Sequence, residues 1–360
     1  MTVSAIVLAA GEGSRMRSDR PKPLHRICGR SMVMHVIHSL AGLDVDTTVV
    51  VVGHGADRVT AAVRDEAPEW AGVRFTVQNQ QRGTGDAALV GLSGLAGDDI
   101  DDTSTVLVMP GDTPLLTPST VASLVSAHEL SGNAATVLTS VLDDPAGYGR
   151  VVRDRHRNVR RIVEHRDATP DELRIGEVNT GIYAFRRDLL GPALRKIGTD
   201  NAQGEYYLTD VVSVLASGGH TVGAVAAAAS ETSGVNDRFQ LAVAERELRD
   251  RINTSWLLAG VTMLDPAQAF IDAHVSIGRD VTLYPGVILQ GRTVIGDRCD
   301  IGPGTRLVDT TVGDGATITS TSATNATIGA GATVGPWAHL DPGTVVAEGH
   351  ATGPFYTRSS

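Results

Sequence analysis

Two glycines and a cluster of cations near the N-terminus are the first residues that could do chemistry. The stretch IVLAAGEGSRMRSDRPKPLH, residues 6–25, leaves an apolar run, turns through Gly11 and Gly13, and lays down Arg15, Arg17, Arg20 and Lys22. Backbone amides in a glycine turn approach an anion closely, and cations behind them neutralise it. That favours a phosphorylated ligand; a plain turn beside solvated cations is the alternative. The spacing is no dinucleotide fingerprint, because Met16 stands where the third glycine belongs, and no GK[ST] follows to make a Walker loop.

Such a turn needs a rigid scaffold, and the next residues supply its pattern. SAIVLAA, TTVVVVG and STVLVMPGD are buried-strand runs, and MVMHVIHSLAGL, RVTAAVRD and TPSTVASLVSAHEL carry helical spacing. The β-α-β-α rhythm predicts an α/β domain over residues 1–235, a Rossmann-like fold with a mostly parallel sheet covered by helices. Ligands in such sheets sit at the carboxyl ends of the strands, where AAGEGSR and PGDTPLL both lie. Residues 236–262 read as a connecting helix, with Leu241, Ala244, Leu248 and Ile252 near one face. An arm of roughly 37 Å is expected at 1.5 Å per residue.

From about residue 275 an aliphatic residue followed by glycine returns on a six-residue beat: Ile277-Gly278, Ile295-Gly296, Ile301-Gly302, Val312-Gly313, Ile328-Gly329 and Val334-Gly335. Hexapeptide repeats build a three-sided β-helix at about 18 residues per coil. From Ile277 to about Val345 the repeat gives about four coils, with slips around TITSTSATNA, and a short left-handed β-helix is expected over residues 263–360.

The chain of 360 residues carries a net charge of −10 and no basic stripe, which excludes an ordinary nucleic-acid binder. Cys28 and Cys299 lack CxxC partners, which argues against a disulfide framework or a zinc site. No run of about 18 apolar residues suggests a membrane span. With no positive region before the first apolar stretch, a cytoplasmic protein is expected.

LAAGEGSRM followed by RPKPLH resembles the signature of the sugar-1-phosphate nucleotidyltransferases, LAAGxGxRM…PK. The resemblance continues in order through QRGTGDA, PGDTPLL, DPAGYGRVV, IVEHRDAT, EVNTGIYAF, NAQGEYYLTD and GVNDRFQLA. The order and spacing resemble the bifunctional N-acetylglucosamine-1-phosphate uridyltransferase/glucosamine-1-phosphate acetyltransferase family. The resemblance implies in-line displacement: a sugar 1-phosphate oxygen attacks the α-phosphorus of a nucleoside triphosphate and pyrophosphate leaves. It gives Arg15 and Lys22 the triphosphate and the leaving group, and Asp112 and Asn236 a magnesium ion. The backbone of Leu8, Ala9, Ala10 and Gly11 would cradle the nucleotide. Gln78, Gly83 and Thr84 match base-reading positions, and Gly149, Glu164 and Asn179 match positions that bind the sugar. Taken singly, Asp112 could cap a turn, Asn236 could cap the long helix, Glu164 could be a surface carboxylate, and Lys22 a solvated loop residue.

Three departures stand against the family pattern. The chain ends at Ser360, and His339 and Asp341 in GPWAHLDPG replace the family's arginines. Acetyltransferase activity is therefore not expected, and the coils read as an assembly platform, with a homotrimer the family's form. RGTGD replaces the usual LGTGH, placing Arg82 and Asp86 beside the base-reading loop. A guanidinium can pair with guanine O6 and N7, so Arg82 would favour GTP; an exposed arginine without a role is the alternative. Pro110 replaces the family's more usual aromatic or polar residue near the sugar site. An altered copy of this kind resembles a pathway paralogue of the family, and that resemblance implies GTP and a cyclitol 1-phosphate, valienol 1-phosphate, in a specialised antibiotic pathway. UTP with N-acetylglucosamine 1-phosphate is the alternative, and a non-catalytic nucleotide-binding scaffold a third.

Overall fold

A computed structural model describes residues 3–95 and 103–357. They fall into two compact units, Met1–His25 with Ser31–Leu241 and Arg26–Arg30 with Ala242–Ser360.

The first unit is built on a nine-stranded sheet. In chain order its strands are β1 (Val3–Ala9), β2 (Val45–Val52), β3 (Val73–Val77), β4 (Thr105–Pro110), β5 (Ala135–Val141), β6 (Arg150–Arg153), β7 (Val159–Val163), β8 (Glu177–Arg186) and β9 (Val222–Ala226). Seven of them run in the spatial order β9-β5-β8-β4-β1-β2-β3, and the β6–β7 hairpin pairs with β8. Every pairing along that row is parallel except those of β8, which is antiparallel to both β4 and β5. The expected mostly parallel sheet is therefore present. Ile6 and Val7 on β1, Val49 to Val51 on β2 and Val106 to Met109 on β4 are all fully buried. Burial on both faces explains why these strands read as unbroken apolar runs rather than as alternating ones.

The chain leaves β1 toward β2 on one side, while β4 lies on the other, so the strand order reverses beside β1. Three loops interlock at the carboxyl ends there. The Gly111 amide donates to the Leu8 carbonyl at 2.8 Å, and the His54 amide to the Ala10 carbonyl at 3.3 Å. Gly53 is required at this crossing, because a Cβ on it would sit 2.8 Å from the Ala10 carbonyl oxygen. Helices α1 (Met32–His38), α2 (Ala56–Glu66), α3 (Thr84–Ser93) and α4 (Pro118–Ser131) cover the sheet. The Thr117 side chain caps α4 by accepting from the Thr120 amide at 3.3 Å.

The second unit stacks short strands into three parallel five-stranded sheets, the arrangement of a left-handed β-helix. Inward positions form one apolar column that includes Leu283, Ile301, Leu307, Ile318, Ile328 and Leu340, each at most 1% exposed. Paired positions lie 18 residues apart between Thr282 and Asp300, 17 between Asp300 and Thr317, and 16 between Thr317 and Thr333. The slips expected around TITSTSATNA are these shortened coils. Four layers follow Ile277 as expected, and a fifth precedes them, because strands Thr262–Met263 and Phe270–Ile271 begin the stack before the hexapeptide beat becomes regular.

The long helix runs over Arg238–Leu258, 21 residues. Ile252 and Trp256 pack against the β-helix core, and buried Asn253 donates to the carbonyls of Pro266 and Ala269 at 2.8 and 3.0 Å. Most of the expected arm is thus a packed part of the second unit. Leu307→Ala should cost that unit about 2–5 kcal/mol, because a fully buried side chain leaves a cavity that stacked coils cannot close. Denaturant unfolding followed by circular dichroism would read the loss. A cost below about 1 kcal/mol would mean that the column is loosely packed.

Candidate active site

A cavity of about 310 Å³ opens at the carboxyl ends of β1 and β4, where the strand order reverses. Leu8, Ala9, Ala10 and Gly11 form one wall; Gln78, Gly83 and Thr84 form another; Pro110, Gly111, Asp112 and Lys22 close it. Seven of the positions given a role by the resemblance, together with Lys22 and Asp112, therefore belong to one or the other wall or stand at their junction.

Lys22 sits in the single turn Lys22–Leu24, after Pro21 and before Pro23, which fix its backbone. Its ammonium donates to Asp112 Oδ2 and, at 2.8 Å, to Asn236 Oδ1. Arg15, from the turn Ser14–Met16, donates Nη2 to the same Asn236 oxygen at 3.0 Å. Residues far apart in sequence thus meet at one point. The backbone secures the meeting, since the Val235 amide donates to the Asp112 carbonyl at 2.8 Å. Asn236 is free to point inward because another residue caps the long helix. Asp237 Oδ1 accepts from the Gln240 amide at 2.8 Å.

Asp112 and Asn236 fit a hard divalent cation. Both offer oxygen, and both oxygens already converge on one positive charge, the Lys22 ammonium. Among the described residues no cluster of three or more His, Cys, Asp or Glu side chains could hold a metal alone. Two protein ligands completed by phosphates and water are the pattern magnesium accepts.

On the opposite wall, the Gln78 amide of the main chain continues the β3 ladder, donating to the Val52 carbonyl at 2.8 Å. Gly83 has φ +109°, and a Cβ there would sit 2.5 Å from the Tyr206 carbonyl, so only glycine lets this loop approach residues 205–206. Thr84 begins α3 and accepts from the Leu208 amide at 3.0 Å. Arg82 stands apart from this wall. It is exposed, and its Nε and Nη2 both donate to Gln80 Oε1, at 3.0 and 2.8 Å.

Gly149, Glu164 and Asn179 form a separate group around β6, β7 and β8. The Asn179 amide donates to the Gly149 carbonyl at 2.9 Å. A Cβ on Gly149 would lie 3.6 Å from both Asn179 Cβ and Glu164 Oε1. Thr209 donates its hydroxyl to Glu164 Oε1 at 3.1 Å. Burial raises the Glu164 carboxyl above the ordinary carboxylate range against the Thr209 hydroxyl, with Asp167 and Asp210 adding to the rise. Next to this group Tyr148 is pushed up by burial and by the Asp112 charge, which leaves it a neutral donor.

Gln81 and Glu205 also line the cavity, and the sequence did not single them out. Gln81 Nε2 donates to the Ala10 carbonyl at 2.9 Å, bridging the two walls. Its place in QRGTGDA, beside glycines, was the available signal; Glu205 had its neighbours Tyr206 and Tyr207, which pack.

The comparisons with known proteins agree with this geometry. A MobA-like NTP transferase domain model matches residues 5–173, and a GMPPB C-terminal domain model matches residues 269–353. The bifunctional protein GlmU of Streptomyces coelicolor is 48% identical over 343 residues, which cover 95% of this chain and 70% of that protein. The bifunctional protein GlmU of Mycobacterium ulcerans is 47% identical over 355 residues, covering 98% of this chain and 71% of that protein. A crystal structure of UDP-glucose pyrophosphorylase complexed with UDP-glucose superposes with a TM-score of 0.55 at 15% identity. It covers 70% of this chain and all of that one, and shares the fold. The chain belongs to the sugar-1-phosphate nucleotidyltransferases, within their GlmU-like group. No helix among the described residues is long and apolar enough to cross a membrane.

Proposed function

We propose that the first unit transfers a nucleotidyl group from a nucleoside triphosphate to a sugar-like 1-phosphate. The convergence of Lys22, Arg15, Asp112 and Asn236 beside a glycine turn carries this reading. An oxygen of the acceptor phosphate forms a bond to the α-phosphorus, the α–β bridging bond breaks, and pyrophosphate departs. Displacements of this kind need alignment and charge neutralisation more than a protein nucleophile. Arg15 and Lys22 hold the triphosphate and take up the charge on the departing pyrophosphate. Asp112 and Asn236 would hold magnesium, which supplies neutralisation at the phosphoryl oxygens. The Leu8–Gly11 backbone supports the nucleotide, Gln78, Gly83 and Thr84 face its base, and Gly149, Glu164 and Asn179 receive the acceptor. The second unit serves assembly, as a homotrimer.

Two substrate pairs suit this site. Similarity to proteins named GlmU supports UTP with N-acetylglucosamine 1-phosphate, giving UDP-N-acetylglucosamine. Resemblance to a valienol-1-phosphate guanylyltransferase of validamycin biosynthesis supports GTP with valienol 1-phosphate, giving GDP-valienol, and Arg82 in RGTGD and Pro110 are the departures from the family pattern that leave room for it. Pyrophosphate release is measured with GTP, UTP, ATP, CTP and dTTP, each with magnesium and each acceptor. Turnover of UTP with the amino sugar selects the first pair, and turnover confined to GTP with the cyclitol selects the second. Nucleotide binding without release under any combination would leave a non-catalytic scaffold and overturn the proposal.

A further inference from the structure

Gln78 has one peculiarity. Its side chain lines the cavity yet is only 6% exposed, and its amide nitrogen is fully engaged. Nε2 donates to Asp86 Oδ2 at 2.8 Å and to the Gly83 carbonyl at 3.3 Å. A carboxylate and a carbonyl can only accept, so these two partners settle which end of the Gln78 amide is nitrogen. Its Oε1 has no partner among the described residues. With both N–H groups turned to Asp86 and Gly83, Oε1 is the end of the amide left to accept from a ligand in the cavity that Gln78 lines.

We infer that Asp86 is a positioning residue that fixes Gln78 with its oxygen toward the nucleobase, and so selects bases carrying a ring N–H. Uracil and guanine present such a donor, at N3 and N1. Cytosine and adenine present a lone pair at the corresponding ring nitrogen, which would face Oε1 without a proton between them. The inference rests on the nucleotide site proposed above. It depends on neither the acceptor nor the chemical step, and it treats GTP and UTP alike.

Asp86 also lies in the first turn of α3, where a carboxylate favours the helix electrostatically. A purely structural role of that kind would weaken all triphosphates together. Selectivity between bases separates the two roles.

The test is equilibrium binding by titration calorimetry of GTP, UTP, ATP and CTP to the full chain, with magnesium. For the native protein, the tighter of GTP and UTP is expected to bind about 10- to 100-fold better than ATP or CTP, the scale of one mismatched buried hydrogen bond. In Asp86→Asn the neighbouring amide can donate or accept, so only the longer contact to the Gly83 carbonyl, at 3.3 Å, still holds the Gln78 orientation. That preference should fall about tenfold, the loss of one charge-assisted orientation. Gln78→Leu, with Asp86 intact, should lose the same preference. A native preference for ATP or CTP, no preference at all, or a preference unchanged in Asp86→Asn overturns the inference, as does failure to bind any triphosphate. If binding behaves as expected and no pyrophosphate is released, the inference stands and only the proposed reaction falls.

Discussion

Asp112→Asn leaves the fold standing and lowers turnover by about a thousandfold or more, the scale seen when a preorganised charge is removed from a reacting phosphoryl centre. Asparagine has the same shape, and the two backbone bonds that seat the loop do not involve the side chain. They run from the Gly111 amide to Leu8 and from the Val235 amide to the Asp112 carbonyl, both at 2.8 Å. What disappears is the anionic oxygen that faces Lys22. Steady-state pyrophosphate release together with a thermal melt reads both halves. Turnover within a few-fold of the native protein would remove the metal assignment from Asp112.

Lys22→Met should lower kcat/KM about 10²- to 10³-fold. Its stem is only 13% exposed and packs beside Gly13, where a Cβ would approach the Lys22 Cβ to 2.5 Å. Methionine keeps that packing and loses the charge. The ammonium also occupies the position on which the Asp112 and Asn236 oxygens converge, so it competes with any cation bound there. Turnover that remains in Lys22→Met should therefore saturate at a lower magnesium concentration. An unchanged magnesium requirement would mean that Lys22 and the metal do not share those ligands.

The strand runs, the helical spacing of TPSTVASLVSAHEL and the hexapeptide column were legible because each is a local pattern with its own period. The glycine turn was legible as an anion site because cations follow it directly. The pairing of Lys22 with Asp112 and Asn236 has no local period, since it spans about 90 and 214 positions. Only the resemblance connected those residues. The division of labour between Asn236 and Asp237 was invisible for another reason. Both residue types cap helices equally well, and the loop geometry alone gives the cap to Asp237. Segment Arg26–Arg30 lies in sequence among residues of the first unit, yet it belongs to the second unit. There the Cys28 amide donates to Glu245 Oε2 at 2.8 Å and the Cys28 carbonyl accepts from the Ala273 amide at 2.9 Å. A five-residue excursion carries no composition shift by which to recognise it.

The coils of the second unit vary between 18 and 16 residues while the inward column stays in line. Length is absorbed at the corners, and the strands keep their register. Asp297 and Asp314 secure those corners, each accepting a backbone amide on the neighbouring coil, at 2.8 and 3.0 Å. A solenoid of this kind has nearest-neighbour energetics. Each coil adds its own increment, and a defect in one is felt mainly by the two beside it. Whole coils are therefore interchangeable parts: the stack can gain or lose a rung without a new solution for its interior.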